Sequence, residues 1–208
     1  LLSLRPPDRP GRDAGARPHA LPRGGCRLLA SGGGFAAPRR PGGSREEAAL
    51  VGELCHRVLE LWDYARPGDL EIPLKRASSA LARRHPAARW DILTAEARGI
   101  LKGFFATSAA RDLSRCEVLG REIAFIFPHE GKVVRGSIDL LCRQDGRLWV
   151  ADYKTDARRK NVSSVSPYRR QGAAYIAAVR QATGEEAGFK LIHLRDGVVE
   201  EVDIAPRS

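Results

Sequence analysis

Gly136-Ser137-Ile138-Asp139-Leu140-Leu141 and Leu148-Trp149-Val150-Ala151-Asp152-Tyr153-Lys154-Thr155 are the two stretches that decide the reading of this chain. Both are apolar runs of strand length, and Gln144-Asp145-Gly146-Arg147 between them is a turn. They form a hairpin with charged residues at one end. Asp152 and Lys154 are two apart, so on a strand they project from one face. Counted outward from the turn, Asp139 falls about level with Asp152. Two carboxylates a few ångströms apart repel each other, and a divalent cation between them relieves the repulsion. Oxygen ligands with open positions suit Mg2+ or Mn2+. A lysine beside such an ion can position a water and stabilise charge on a phosphate. These parts suffice for phosphodiester hydrolysis. The competing reading is an ion pair of Asp152 with Lys154 at the surface, with Asp139 an ordinary acid near a turn.

The pattern around the hairpin supplies the rest of a fold. Upstream, Val118 to Phe127 reads as another strand, joined by the turn His129-Glu130-Gly131-Lys132, so three antiparallel strands run in a meander. Downstream, a polar gap from Asp156 to Ser166 precedes a helix that starts near Pro167 and runs to about Thr183. Phe189–Leu194 and Val198–Ile204 then read as strands. The helix and the first of these can be the crossover and parallel neighbour of a mixed sheet. Before the meander lies a helical region. Ser44-Arg45-Glu46-Glu47 fits a capping box, and Leu50, Leu54, Val58 and Trp62 follow at four-residue spacing. A short helix is expected over Pro73–His85 and a longer one over Ala88–Ala110. The expected class is α/β, a mixed sheet flanked by helices with an N-terminal helical subregion.

Residues 1–44 differ from the remainder. They hold seven of the 13 prolines, nine of the 21 glycines, and eight arginines against two aspartates, which is +6 of the chain's net +10. With no hydrophobic period, they read as a flexible basic linker, and a basic arm for nucleic acid is the alternative. The ordered domain is expected over 45–208. The net charge suggests a polyanionic partner. Cysteines at 26, 55, 116 and 142 make no CxxC pair, which argues against a zinc ribbon and fits free thiols in a reducing compartment. No apolar run nears the ~20 residues that span a bilayer, and the N-terminus lacks a signal peptide's apolar segment. The sequence contains no methionine, so it reads as a piece, expected to be C-terminal, of a longer polypeptide.

Gly136-x-x-Asp139-Leu140-Leu141 followed by Asp152-Tyr153-Lys154-Thr155 resembles the PD-(D/E)xK nuclease superfamily. Two further motifs stand in the family's order: Gly52-Glu53-Leu54-Cys55-His56 and Gln171-Gly172-Ala173-Ala174-Tyr175. Together the four are similar to the RecB-like nuclease domains, in particular those that end AddA-type helicase–nuclease subunits. The resemblance covers roughly residues 50–204. It implies a restriction-endonuclease-like fold. It also implies that His56 completes a metal site with Asp139, Asp152 and the backbone carbonyl of Tyr153, and that Asp139, Asp152, Lys154, Gln171 and Tyr175 are catalytic.

Helical spacing is compatible with these roles. His56 lies four residues after Gly52, off the Leu54–Val58 stripe, and Tyr168, Gln171 and Tyr175 share a helix face. Tyr168, Arg169 and Arg170 add charge and a ring that suit single-stranded DNA. Glu122 on the first strand is either a second acid behind the site or an exposed strand residue. In two places the sequence departs from its relatives. Gly172 and Ala173 stand where related sequences often have a leucine, so Gly172 is expected to weaken the helix and leave a packing gap. The cysteine pattern of iron–sulfur relatives is missing, and no cluster is expected.

The resemblance implies a Mg2+- (or Mn2+-) dependent DNA exonuclease or endonuclease module acting in double-strand-break repair and recombination and leaving 5′-phosphate and 3′-hydroxyl ends. Its substrate would be single-stranded ends made by a helicase upstream in the same polypeptide, and its partner would be a second nuclease subunit. The site of action would be the bacterial cytoplasm, at the nucleoid, with no membrane partner. The alternative is an inactive nuclease fold that serves as a DNA-binding or subunit-interaction module. Retention of Asp139, Asp152, Lys154 and His56 argues for activity. No phosphate-binding Gly-x-x-x-x-Gly-Lys-Ser/Thr occurs, so this piece should not hydrolyse ATP.

Overall fold

Ser44 opens the first helix by the capping box its sequence predicts. The Ser44 hydroxyl accepts from the Glu47 amide at 3.1 Å, and the Glu47 carboxylate accepts from the Ser44 amide at 2.9 Å. The structure is a computed structural model that describes residues 44–129, 132–156 and 165–204. The linker expected before Ser44 and most of the polar gap after Asp156 lie outside the described residues.

Helix α1 (Arg45–Leu61) buries Leu50, Leu54 and Val58, the stripe set by four-residue spacing. Helix α2 (Glu71–Ala82) follows. The single helix expected over Ala88–Ala110 is two helices, α3 (Trp90–Phe105) and α4 (Ser108–Leu113). Thr107 breaks it. Its backbone is extended, its hydroxyl donates to the Phe104 carbonyl at 2.6 Å and accepts from the Ala110 amide, and it thereby caps α4. The meander is β1 (Glu117–His129), β2 (Lys132–Gln144) and β3 (Arg147–Lys154). Helix α5 (Val165–Thr183) crosses over to β4 (Ala187–His193), and β5 (Val198–Glu201) closes the order. The sheet runs β1-β2-β3-β4-β5, antiparallel except for the parallel pair β3–β4, as the helix between them requires.

The two faces of the sheet have separate cores. Helices α1–α4 pack on one face against Leu140, Trp149, Ala151 and Tyr153, around the fully buried Leu54, Leu74, Leu101 and Phe104. On the other face Tyr175 and Val179 of α5 pack against Ile138, Val150, Phe189 and Leu191. Among the described residues no helix is long and apolar enough to cross a membrane.

Gly172 does not leave the packing gap that its size suggests. A Cβ added there would lie 2.4 Å from Cδ1 of Phe189 and 2.8 Å from Cδ1 of Ile204. The space of a side chain is filled by the Phe189 ring, which is 1% exposed and has no room to withdraw. Gly172→Ala is therefore expected to destabilise the fold by roughly 1–3 kcal/mol through overpacking, against the ~1 kcal/mol that alanine gains in helix propensity. Urea unfolding followed by circular dichroism measures the net sign, and a more stable variant would refute the close-approach account.

Candidate active site

Three carboxylates lie in one row across three strands. The pairs Arg121–Leu140 and Ile123–Ile138 bracket Glu122 and Asp139, setting them opposite each other. The pair Leu140–Ala151 puts Asp152 one residue further along, level with Asp139. The sheet is broken along this row. Ile138 and Leu140 are two apart, and on a regular strand they would share a face, but Ile138 packs in the α5 core and Leu140 in the α1–α4 core. On β1 the same exchange follows from the pairing, since Arg121 lies opposite Leu140 of the α1–α4 core and Ile123, two residues on, lies opposite Ile138 in the α5 core. The switch coincides with Glu122, whose φ of 48° is in the left-handed region that costs a non-glycine residue of order 1–3 kcal/mol. The break turns the acids out of the regular alternation and toward α1.

His56 of α1 meets them there. Its Nε2 donates to the Tyr153 carbonyl at 3.1 Å, and its Nδ1 is 3.4 Å from the Asp139 carboxylate and 3.7 Å from that of Glu122. The approach is close because residue 52, one turn earlier, is glycine. A Cβ there would lie 3.0 Å from Oγ1 of Thr155, just beyond β3. Burial works to lower the His56 pKa, but Asp139, then Glu122 and Asp152, outweigh it and hold the imidazole protonated, its pKa well above the ordinary value. Ligand atoms of His56, Glu122 and Asp139 all lie within 4.8 Å of one another, close enough to share one ion.

Asp139 also fixes the end of β3, for its Oδ2 accepts from the Tyr153 amide at 2.8 Å. The Tyr153 hydroxyl is 3.0 Å from that of Tyr64 in the helical core, and its ring stands edge-on to His56. Tyr153 is thus held at its amide, its hydroxyl and its ring, while its carbonyl faces His56. Asp152 is 3% exposed. One of its oxygens accepts from Gln171 Nε2 at 2.8 Å, and the other contacts Lys154 Nζ as an ion pair without hydrogen-bond geometry. Burial pushes the Asp152 carboxyl up, Lys154 pulls it down and Asp139 pushes it up again, to about 6. On Lys154, burial is overcome by Asp152 and the ammonium pKa is raised. Its Nζ is 4.9 Å from the centre of the Tyr168 ring, a cation–π contact.

The sequence-derived residues are thus gathered from α1, β1, β2, β3 and α5. Gln171 links Asp152 to the fully buried Tyr175, whose hydroxyl accepts from Nε2 at 2.7 Å. Glu122 stands beside His56 and Asp139, and it accepts from the Ser137 hydroxyl at 3.1 Å. Arg169 turns away from the cleft, donating to the Asp203 carbonyl at 2.7 Å, whereas Arg170 is exposed. Sequence reasoning missed Tyr64, Ser137 and Thr155. Tyr64 lies in an irregular segment with no local pattern to mark it. Ser137 was within the quoted strand, and its place near Glu122 follows only from the β1–β2 register.

The residues fit a divalent cation. The carboxylates of Asp139 and Glu122 converge on His56, with Asp152 level with Asp139 on the next strand, and the imidazole would give up its proton to an arriving ion. The Asp152 oxygen that Gln171 does not hold faces the Lys154 ammonium, so an ion would share that carboxylate with the lysine. Carboxylate, imidazole and carbonyl donors are those that Mg2+ and Mn2+ accept.

A sequence model of the PD-(D/E)XK nuclease superfamily matches residues 29–204. Among curated relatives, an ATP-dependent helicase/nuclease subunit of Bacillus pumilus is 30% identical over 122 residues, covering 48% of this chain. The corresponding helicase/nuclease subunit of Carboxydothermus hydrogenoformans is 27% identical over 173 residues, 74% of this chain. An ATP-dependent helicase/deoxyribonuclease subunit of Streptococcus equi subsp. zooepidemicus is 27% identical over 172 residues, 76% of this chain. The chain spans only 10%, 14% and 16% of the length of these relatives, respectively. A crystal structure of a presumptive exonuclease from Eubacterium rectale superposes with a TM-score of 0.53 at 16% identity, over 77% of this chain and 60% of that one. That likeness bears on fold alone, and the fold is the restriction-endonuclease-like mixed sheet. With an acid on β2, an Asp-x-Lys ending β3 and a family match over most of its length, the chain belongs to the PD-(D/E)XK nuclease superfamily.

Proposed function

We propose that this chain is a divalent-metal-dependent deoxyribonuclease module of an ATP-dependent helicase/nuclease. The observation that carries the reading is the row Glu122–Asp139–Asp152, with His56 facing it and Lys154 one step beyond on the face of Asp152. His56, Asp139, Asp152 and the Tyr153 carbonyl would hold Mg2+ or Mn2+, and Glu122 is near enough to join them. A divalent cation there supplies Lewis-acid polarisation of a phosphate oxygen and a lowered pKa for a coordinated water.

The chain's own residues do the rest. Lys154 places a positive charge beside Asp152, where it can hydrogen-bond the attacking water and a non-bridging phosphate oxygen. Its raised pKa keeps it charged through the neutral range. Gln171 holds one Asp152 oxygen and so orients the carboxylate, while Tyr175 fixes the amide of Gln171. Asp139, by accepting from the Tyr153 amide, keeps the neighbouring carbonyl aimed at His56. Water adds to phosphorus, the bond to the 3′ oxygen breaks, and that oxygen leaves with a proton, giving 5′-phosphate and 3′-hydroxyl ends. Tyr168, against which Lys154 rests, and the exposed Arg170 would suit an unpaired strand.

In the relatives named for a helicase, a motor accompanies the nuclease. By that likeness the partners of this module are an upstream helicase domain, the single-stranded ends that unwinding makes and a second nuclease subunit. Its action would fall in repair and recombination in the bacterial cytoplasm. The test is incubation of the full chain with end-labelled single-stranded DNA and Mg2+ or Mn2+, with EDTA as control. Metal-dependent shortening with 5′-phosphate products is expected. Intact DNA beside a folded wild-type chain would instead support an inactive binding or docking module.

A further inference from the structure

The hairpin β1–β2 runs on past the acid row, and among the described residues one of its faces is exposed. Phe127 and Val134 face Ala174 and Ala178 of α5 and form a small core. The opposite face carries Ala124, Ile126, Pro128, Val133 and Arg135, all exposed. Ile126 and Val133 are 61% and 65% exposed, a large apolar area beside the site. That face continues directly from Glu122. Ser137, which donates to the Glu122 carboxylate, is paired with Ala124, and Ile126 lies next along, paired with Arg135.

Access to the site comes from the same side. Exposure falls from 25% at the Glu122 side chain to 8% at Asp139 and 4% at Asp152, and His56 is 28% exposed. A substrate therefore reaches the acids over the edge strand β1 rather than through the sheet. At about 3.3 Å per strand residue, Ile126 lies roughly 13 Å beyond Glu122, within reach of nucleotides flanking the cut.

We infer that the uncovered face of the β1–β2 hairpin is a binding surface for unpaired nucleotides next to the scissile phosphate, with Ile126 and Val133 contacting bases and Arg135 a phosphate. This rests on the nuclease reading above. A duplex hides its base faces in the stack and presents phosphates outward, so it would gain little from Ile126 and Val133. An unpaired strand offers those faces, and an adjacent cation suits its backbone.

The test uses the full chain with both Ile126→Thr and Val133→Thr, which keep the β-branching that strands favour. KM for a 12-nucleotide single strand is expected to rise about fivefold with kcat within about twofold, and affinity for a blunt duplex in EDTA to change less than twofold. The separate variant Ile126→Asp, which repels phosphate, should raise that KM further and keeps the idea testable if the first variant folds poorly. Wild-type KM in both variants, or an equal loss for duplex, overturns the inference. So does unchanged DNA affinity with diminished self-association in sedimentation, which would make the face a contact between copies. A wild-type chain that neither binds nor cuts DNA defeats the nuclease reading as well. A wild type that cuts, with variants that match it, defeats this inference alone.

Discussion

Asp152→Asn is expected to lower metal-dependent cleavage of single-stranded DNA by on the order of 10³-fold, the largest loss for any single substitution in this chain. Asparagine keeps the size of the side chain, and its oxygen can still accept from Gln171. It removes the charge that would bind the proposed cation and leaves Lys154 facing a neutral amide. Two losses therefore compound, weaker metal binding and a lysine no longer anchored. The first has a readout independent of activity. A ligand at 100 times its Kd stabilises the native state by about 2.7 kcal/mol, which for a domain of this size is roughly 5–10 °C in Tm. Wild type should show a rise of that order on addition of Mn2+, and Asp152→Asn should show little or none. A variant with the full thermal shift and ordinary cleavage would remove Asp152 from the metal site.

Lys154→Met is expected to cost about 10²–10³-fold in kcat while retaining the Mn2+ thermal shift. Methionine fills the volume of the lysine stem and keeps apolar contact with Tyr168. What it lacks is the ammonium that can bond water and phosphate. It also removes a positive charge from beside Asp152, so the proton on that carboxyl is held more tightly and the metal needs a higher pH to displace it. The contrast between the two variants separates ion binding from charge stabilisation. Cleavage at the wild-type rate by Lys154→Met would show the lysine to be only the structural partner of Asp152.

Much of this arrangement is legible in the sequence, because it rests on short-range pattern. The capping box at Ser44, the stripe from Leu50 to Val58 and the Asp145-Gly146 turn each act over a few residues. Counting from that turn placed Asp139 level with Asp152, and the ladder agrees. The crossover from β3 through α5 to β4 followed from chain order and the handedness of such connections. Features that depend on backbone conformation or distant packing were not legible. Nothing in the composition of Thr107 distinguishes a capping residue that divides two helices from one inside a helix. Gly172 read as a gap because the Phe189 ring that fills it is 17 residues away in sequence. Glu122 read as either a supporting acid or an exposed one, since its left-handed backbone and the exchange of faces on both strands cannot be seen in an alternating pattern. The cost of that conformation is what sets its carboxylate beside His56, and strain of this kind is expected where function rather than stability decides the residue.

The bond from His56 to the Tyr153 carbonyl joins residues 97 apart in sequence, and Gln171 is further on still. High contact order makes such a site slow to assemble and late to appear. During synthesis from the N-terminus, α1 through β2 would emerge with their histidine and two acids but without Asp152, Lys154 or the glutamine that orients them. No incomplete chain carries the whole set, and none that has lost its sheet retains it. On the proposed nuclease reading, hydrolytic power would be restricted to the finished fold, a form of containment for an activity that would act on DNA.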